Sequence, residues 1–121
     1  VAQQTYNNYE HIIIDGASTD GSKSIIEQYK NKNPHVTYWV SEKDEGIYNA
    51  MNKGITHAQG QYLLFLNSGD YIEPNILEQA ATSLTGTDII YCYRRLSASP
   101  PPPLLFGENY SKISYITNST K

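Results

Sequence analysis

Residues 11–21 read HIIIDGASTDG, a short apolar run that stops abruptly at small, polar and acidic residues. A run of that length, bounded by turn-forming residues, predicts a buried β-strand that ends at Asp15. Residues 62–70, YLLFLNSGD, repeat the pattern and end at Asp70. If both strands are buried and parallel, the two carboxylates lie at one edge of a sheet, which is where open α/β sheets bind ligands.

The rest of the sequence predicts an α/β fold. Apolar residues at helical spacing follow each predicted strand, in helices that begin near Ser22, Ile47 and Pro74. Residues 36–40 and 88–93 are rich in β-branched and aromatic side chains and predict two further strands. The order β-α-β-α-β-α-β with short connections is typical of a mainly parallel sheet with helices on both faces.

The two ends of the chain depart from this pattern. Residues 1–6 are interpreted as the last turn of a helix. Residues 97–103 end in four consecutive prolines, which lack amide donors and keep the chain extended, so this segment is interpreted as a linker. Residues 112–117 predict a tail strand. The chain is therefore divided into a core, residues 1–93, and a Pro-rich linker with a tail strand, residues 94–121.

The composition bounds the class of protein. The chain has 121 residues, 39% of them hydrophobic and 17% charged, which suits one packed domain rather than a disordered chain. The formal net charge is −3, so we expect no nucleic-acid partner, since that binding needs clustered Lys and Arg. The single cysteine, Cys92, suits a reducing compartment, and we expect a cytoplasmic location.

The strand that ends at Asp15 leads into a polar loop and a helix. A carboxylate in that position can accept hydrogen bonds from a base or a ribose, and the small residues Gly16 and Ser18 leave space for a ligand. In the alternative interpretation, Asp15, Ser18 and Asp20 only cap a turn and the helix. The spacing alone leaves both interpretations open.

The segment at residues 67–70, NSGD, offers oxygen ligands without His or Cys. Such ligands suit a hard cation, Mg²⁺ or Mn²⁺, which takes one or two carboxylates and further oxygens from a substrate phosphate. The alternative is a strand-to-helix turn that ends in an acidic residue, Asp70.

Four segments carry a resemblance to a known family. They are residues 4–6 (QTY), 13–21 (IIDGASTDG), 41–54 (SEKDEGIYNAMNKG) and 65–70 (FLNSGD). In this order they resemble the nucleotide-binding half of a family 2 glycosyltransferase. The resemblance implies a GT-A fold, the Rossmann-like fold of nucleotide-diphospho-sugar transferases, incomplete at its N-terminus.

The resemblance implies a reaction and its partners. Family members transfer a sugar, here expected to be a hexose, from a nucleotide-diphosphate donor to an acceptor hydroxyl with inversion. It further implies a UDP-sugar donor, a glycan or lipid-linked acceptor, and a role in polysaccharide or cell-surface glycan synthesis. Peripheral association with the inner face of the membrane and assistance by Mg²⁺ or Mn²⁺ are expected on the same ground.

The resemblance also assigns roles to residues at the sheet edge. Asp15 is expected to recognise the base, with Gly16, Ser18 and Asp20 nearby, and Asp44 belongs to a loop that flanks the nucleotide. Residues 67–70 stand at the metal-binding motif of the family. Many members have acids at the two positions where this chain has asparagine and glycine, so only the carboxylate of the last residue is expected to bind the metal.

No catalytic residue is assigned. Inversion needs a carboxylate that deprotonates the acceptor hydroxyl, and Glu108, the only acid in residues 94–121, is interpreted as a surface residue. The alternative function is a non-catalytic nucleotide-binding or assembly module that keeps only the donor half. A phosphohydrolase with Asp15 as nucleophile is disfavoured, because that chemistry needs a second acid where this chain has Ala17.

Other polar residues receive structural interpretations. His11, His35 and His57 lack the spacing of metal ligands and are expected to be structural or exposed. Lys53 could approach a phosphate, but a solvated helix face is the favoured interpretation. The oligomeric state is left open.

The resemblance implies one strand that precedes residue 1. In the family this strand lies between the strands that end at Asp15 and Asp70. Without it, both neighbours would expose unpaired backbone groups, which is costly in a buried sheet. One hypothesis is that the tail strand fills this central gap, from the same chain or from a partner. The favoured interpretation is the plainer one, that these residues belong to a longer protein.

Overall fold

The computed structural model describes residues 1–84 and 113–119, which form a four-stranded parallel sheet with helices. The elements are β1 (Tyr9–Asp15), α1 (Ser22–Lys32), β2 (Val36–Ser41), α2 (Ile47–His57), β3 (Tyr62–Asn67), α3 (Ile76–Thr82) and β4 (Ile113–Ser119). The strand order is β2-β1-β4-β3, and every neighbouring pair is parallel. The predicted α/β class is therefore confirmed.

Strand β1 lies within the core, and all of its residues are buried. Ile12 and Ile14 pack against Ala50 of α2. Because successive side chains of a strand point to opposite faces, Tyr9 lies on the other face, where it packs against Leu77 of α3. Helices thus cover both faces of β1, as the sequence predicts.

Strand β3 differs from the prediction of a buried strand. Its residues alternate between half-buried and exposed, and Leu63 and Phe65 keep 41% and 38% of their surface exposed. The physical reason is its position. Strand β3 is the last strand of the sheet formed by the described residues, and α2 packs over β1 and β4 instead.

Strand β4 fills the central gap. It pairs with β1 from Tyr9 to Asp15 on one side and with β3 from Tyr62 to Asn67 on the other. The backbone groups that β1 and β3 direct into the gap therefore have ladder partners, which removes the cost of unpaired groups. The tail strand predicted at residues 112–117 is observed at 113–119, in parallel orientation.

Two local predictions at the chain start and at α3 are wrong. Residues 1–6 form a turn and an irregular segment instead of a helix end. The buried Gln4 donates from Nε2 to the Glu73 carbonyl at 2.7 Å and accepts from the Leu77 amide at 3.2 Å. This segment therefore packs beside the start of α3. Helix α3 begins at Ile76 after Asn75, two residues later than the position predicted from Pro74.

Several predicted features lie outside the described residues. They are the strand at 88–93, Cys92, the proline linker, Glu108 and the domain boundary at residue 93. Among the helices that the structure describes, none combines the length and the apolar character that a membrane span needs.

Candidate active site

The carboxyl ends of the parallel strands meet at one edge of the sheet. From β1 the chain crosses through α1 to β2 on one side, whereas β4 and β3 lie on the other side of β1. This reversal of direction beside β1 is the position at which open α/β sheets form a ligand crevice. Asp15 ends β1 and Asp70 follows β3, so both acids lie at this edge, with β4 between their strands.

Asp15 is fully buried, with no exposed surface. Its Oδ2 accepts hydrogen bonds from the Ser18 amide at 3.0 Å and from the Ser41 hydroxyl at 2.5 Å. Its Oδ1 accepts from the Ser18 hydroxyl at 2.5 Å. The carboxylate therefore links the end of β1 to the loop that follows it and to the end of β2. These three segments border the candidate site.

Two residues with positive φ angles allow the loop between β1 and α1 to change direction. Ala17 and Gly21 have positive φ angles of 63° and 88°, which are values that glycine adopts readily and alanine rarely. Asp20 accepts hydrogen bonds at Oδ1 from the Ser22 amide at 3.2 Å and from its hydroxyl at 2.6 Å. Asp20 thus pairs the first amide of α1, whereas Gly16 and Ser18 lie half-buried beside Asp15.

A second loop, residues 42–46, runs along the same edge. The Glu42 amide donates to the Asp15 carbonyl at 3.0 Å, which continues the β1–β2 pairing beyond Ser41. Together with the hydroxyl of Ser41 on the Asp15 carboxylate, this contact places the Asp44 loop beside the Asp15 loop. The two segments predicted to flank a nucleotide are therefore brought together.

Lys53 of α2 forms ion pairs with both acids of this loop. Its Nζ lies 2.5 Å from Asp44 Oδ1 and 2.7 Å from Glu42 Oε1. The hydrogen bond to Asp44, followed by the one to Glu42, raises the pKa of Lys53 above its usual value. Lys53 keeps 25% of its side chain exposed, which agrees with the interpretation as a solvated helix face, but the β2–α2 loop also brings two acids to it.

Asp44 has one oxygen without a partner. Its side chain is only 2% exposed, and no donor from residues 1–84 or 113–119 reaches its buried Oδ2. Buried polar atoms are nearly always hydrogen-bonded, and leaving one unpaired costs about 1–3 kcal/mol. Such an atom in a candidate site can accept a hydrogen bond from a ligand.

Asp70 is presented by a tight turn. Its amide donates to the Asn67 carbonyl at 3.0 Å, and Gly69 between them has a φ of 90°. A positive φ at the third position is typical of a type II turn. Residues 67–70 are exposed at the end of β3, at the edge of the sheet.

The donor set at this turn fits a cation that a substrate brings with it. In residues 1–84 and 113–119 no group of three or more His, Cys, Asp or Glu could form a metal site. Mg²⁺ commonly takes only one or two protein carboxylates and completes its shell with phosphate oxygens and water. Asp70 can supply one such carboxylate, so the residues fit a metal–diphosphate complex.

Sequence reasoning missed Glu10, which is almost fully buried at 1% exposure. Its Oε1 accepts from the Gln59 and Gly60 amides at 2.6 and 2.9 Å, and its Oε2 accepts from the Thr37 hydroxyl at 3.1 Å. Glu10 thereby connects β1, β2 and the turn before β3. The sequence carried one signal, because Glu10 stands directly before the apolar run that starts at residue 11. A charged residue that is buried together with such a run must have partners.

The histidines have structural surroundings, as predicted. Nδ1 of His11 lies 3.2 Å from the Tyr29 hydroxyl, and burial, with a smaller effect of the N-terminal charge, lowers the pKa of His11 to about 4. His35 stacks on Tyr9, and His57 stacks on Tyr38.

Comparison with known proteins identifies the family. The model of glycosyl transferase family 2 matches residues 1–116, and the chain belongs to this family. It is 42% identical over 86 residues to an uncharacterized glycosyltransferase of Mycobacterium tuberculosis, covering 70% of this chain and 32% of the relative. Its fold is consistent with a partial GT-A, Rossmann-like arrangement.

Two further relatives have more specific names. A glycosyltransferase of Bacillus subtilis named for teichuronic acid biosynthesis is 35% identical over 79 residues, which cover 65% of this chain and 31% of that protein. A cholesterol galactosyltransferase of Borreliella burgdorferi is 37% identical over 75 residues, which cover 62% of this chain and 21% of that protein. The chain therefore spans about a third or less of the length of these relatives. No solved structure matches the chain significantly.

Proposed function

We propose that this chain forms the donor-binding half of an inverting glycosyltransferase. The enzyme would move a hexose from a nucleotide diphosphate, UDP foremost, to a hydroxyl of a glycan or lipid-linked acceptor. Membership of the family supports the reaction class. The relatives named for teichuronic acid biosynthesis and for cholesterol galactosylation support a polymer or lipid acceptor and a place in polysaccharide or cell-surface glycan synthesis. A cytoplasmic location at the inner face of the membrane is part of the proposal and rests on the family resemblance alone.

The observation that carries the proposal is the polar edge beside β1. The Asp15 and Asp44 loops contact each other there, next to the point where the strand order reverses direction. In this arrangement Gly16 and Ser18 would line the nucleotide, with Asp15 beneath them and Asp20 at the start of α1. A nucleotide with ribose and base above β1 and diphosphate toward β3 would span this edge.

Asp70 would serve the diphosphate end of the donor. A divalent cation, Mg²⁺ or Mn²⁺, would offset the charge that develops on the leaving diphosphate. Asp70 would supply one of its carboxylate oxygens, and Asn67 and Ser68 lie in the same exposed turn. The general base is not among the residues assigned, in agreement with the short share of the relatives that this chain spans.

Calorimetric titration of the 121-residue chain with UDP, GDP and dTDP, each with and without Mn²⁺, tests the proposal. We expect binding of UDP that Mn²⁺ strengthens. If none of the three nucleotides binds, the proposed donor site is wrong. Donor hydrolysis or transfer by the longer protein would distinguish an enzyme from a non-catalytic nucleotide-binding module, which would bind without turnover.

A further inference from the structure

We propose that Asp44 accepts a hydrogen bond from a ribose hydroxyl of the donor nucleotide, and that Lys53 is the positioning residue that holds Asp44 for this contact. The proposal rests on the donor site proposed above, and it names the chemical group that Asp44 recognises. It goes beyond the general expectation that the loop at residues 42–46 flanks a nucleotide.

The geometry at Asp44 separates its two oxygens. Lys53 Nζ lies 2.5 Å from Oδ1, whereas Oδ2 is buried and receives no donor from the part of the chain that the structure describes. The ion pair therefore fixes the carboxylate with one oxygen already used. The second oxygen can accept one or two hydrogen bonds from a ligand.

Oδ2 belongs to a carboxylate whose charge is only partly offset. Lys53 lies against both Asp44 and Glu42, so one ammonium charge is shared between two carboxylates. A hydroxyl that donates to a carboxylate forms a charge-assisted hydrogen bond, which is stronger than a neutral one.

The position of Asp44 favours a ribose hydroxyl over the other hydroxyls of the donor. Asp44 lies in the loop that follows β2 at Ser41, and β2 is the neighbour of β1 on the side away from β4. In the donor pose proposed above, ribose and base lie above β1 and the diphosphate lies toward β3, on the side of β1 away from β2. The ribose is therefore the hydroxyl-bearing part of the donor next to the loop after β2, because the transferred sugar is attached at the diphosphate end.

A ligand can reach Oδ2 at little structural cost. The atom is shielded from water in this structure, so a hydroxyl enters only with a small shift of the loop. Glu42, Lys43 and Glu45 in that loop are exposed, and such a shift disturbs no core packing. Lys53 belongs to α2 and holds the loop through its ammonium group at the end of a flexible side chain, so it can follow Asp44.

The test is a calorimetric titration of the full chain with UDP, 2′-deoxy-UDP and 3′-deoxy-UDP. We expect at least one deoxy analogue to bind the wild type about tenfold more weakly than UDP, as for a hydrogen bond to a charged group. In Asp44→Asn, the amide oxygen should face Lys53, and the amide nitrogen, which donates instead of accepting, should take the place of Oδ2. This variant should bind UDP about tenfold more weakly and distinguish the analogues by less than about twofold.

Lys53 variants test the positioning role. Lys53→Met should reduce the discrimination between UDP and the deoxy analogue, and Lys53→Arg should restore it, because arginine can reach the same carboxylate. Lys30→Met and Glu27→Gln remove one charge each from exposed positions of α1 and should leave the discrimination unchanged. Circular dichroism checks that each variant is folded.

The outcomes separate this proposal from the one on which it depends. If the wild type binds UDP but Asp44→Asn keeps the full discrimination, the ribose contact is wrong while the donor site stands. If Lys53→Met discriminates as the wild type does, the positioning role is wrong. If the wild type does not bind UDP, the donor site fails in the first titration, and the ribose contact fails with it.

Discussion

Replacing Asp15 by alanine should destabilise the fold as well as the candidate site. The carboxylate is fully buried and accepts hydrogen bonds from the Ser18 amide, the Ser18 hydroxyl and the Ser41 hydroxyl. The two hydroxyls can rotate toward other acceptors, but the amide is fixed. Hydrogen bonds to a charged group contribute about 1.5–3 kcal/mol each, and the desolvation of the charge offsets part of that sum. We expect a loss of about 3 kcal/mol in the free energy of unfolding.

Urea unfolding followed by circular dichroism measures this loss. The midpoint should fall without a change in the slope m, which indicates a change in stability alone. Asp20→Ala is the matched control, because the Asp20 carboxylate is exposed and pairs the start of α1. The free energy of unfolding of this variant should fall by only about 1 kcal/mol. Ser41→Ala removes a hydrogen bond to the Asp15 carboxylate and should cost about 2 kcal/mol in the wild type. It should cost much less in Asp15→Ala, since both changes remove the same interaction.

Two results would refute this reasoning about Asp15. One is an Asp15→Ala variant as stable as Asp20→Ala, which would mean that the buried hydrogen bonds contribute little. The other is full additivity of Asp15→Ala and Ser41→Ala, which would mean that the 2.5 Å contact between them has no energetic counterpart.

Two further predictions concern stability away from the site. Glu10→Gln keeps one acceptor for the Gln59 and Gly60 amides but loses the charge, so we expect the free energy of unfolding to fall by about 1–2 kcal/mol. The control is Thr37→Val, which removes a single donor to Glu10. A loss for Glu10→Gln no larger than that for Thr37→Val would contradict this prediction. Because burial lowers the pKa of His11 to about 4 from 6.5, the unfolded chain binds more protons between these pH values. The free energy of unfolding should therefore fall by about 3 kcal/mol from this residue as the pH drops from 7 to 4, and His11→Phe should remove that part of the pH dependence.

The sheet edge could be predicted because β1 carries its information locally. The apolar run from His11 to Ile14, its abrupt end at Asp15 and the helical spacing after Ser22 each depend on neighbours in sequence. The same reasoning was wrong for burial on β3, since Leu63 and Phe65 are apolar but lie beyond the part of the sheet that α2 covers. Which strand a helix covers depends on tertiary packing, which a single apolar run does not encode.

Several contacts at and near the candidate site join residues that are not neighbours in sequence. Lys53 and Asp44 are nine residues apart, and their pairing depends on how the loop at residues 42–46 folds back onto α2. Glu10 meets the Gln59 amide at a separation of 49 residues, and no local pattern signals that contact. The parallel insertion of β4 between β1 and β3 could be proposed only because the gap itself was inferred from family resemblance.

The central claim is that the edge beside β1 binds a nucleotide diphosphate and that Asp70 acts through a divalent cation. Its most direct test is calorimetric titration of UDP, with and without Mn²⁺, into the wild type, Asp15→Ala and Asp70→Ala. We expect Asp15→Ala, where circular dichroism shows it folded, to weaken binding in both conditions, and Asp70→Ala to remove mainly the part that depends on Mn²⁺. Equal losses for both variants in both conditions would contradict this division of roles.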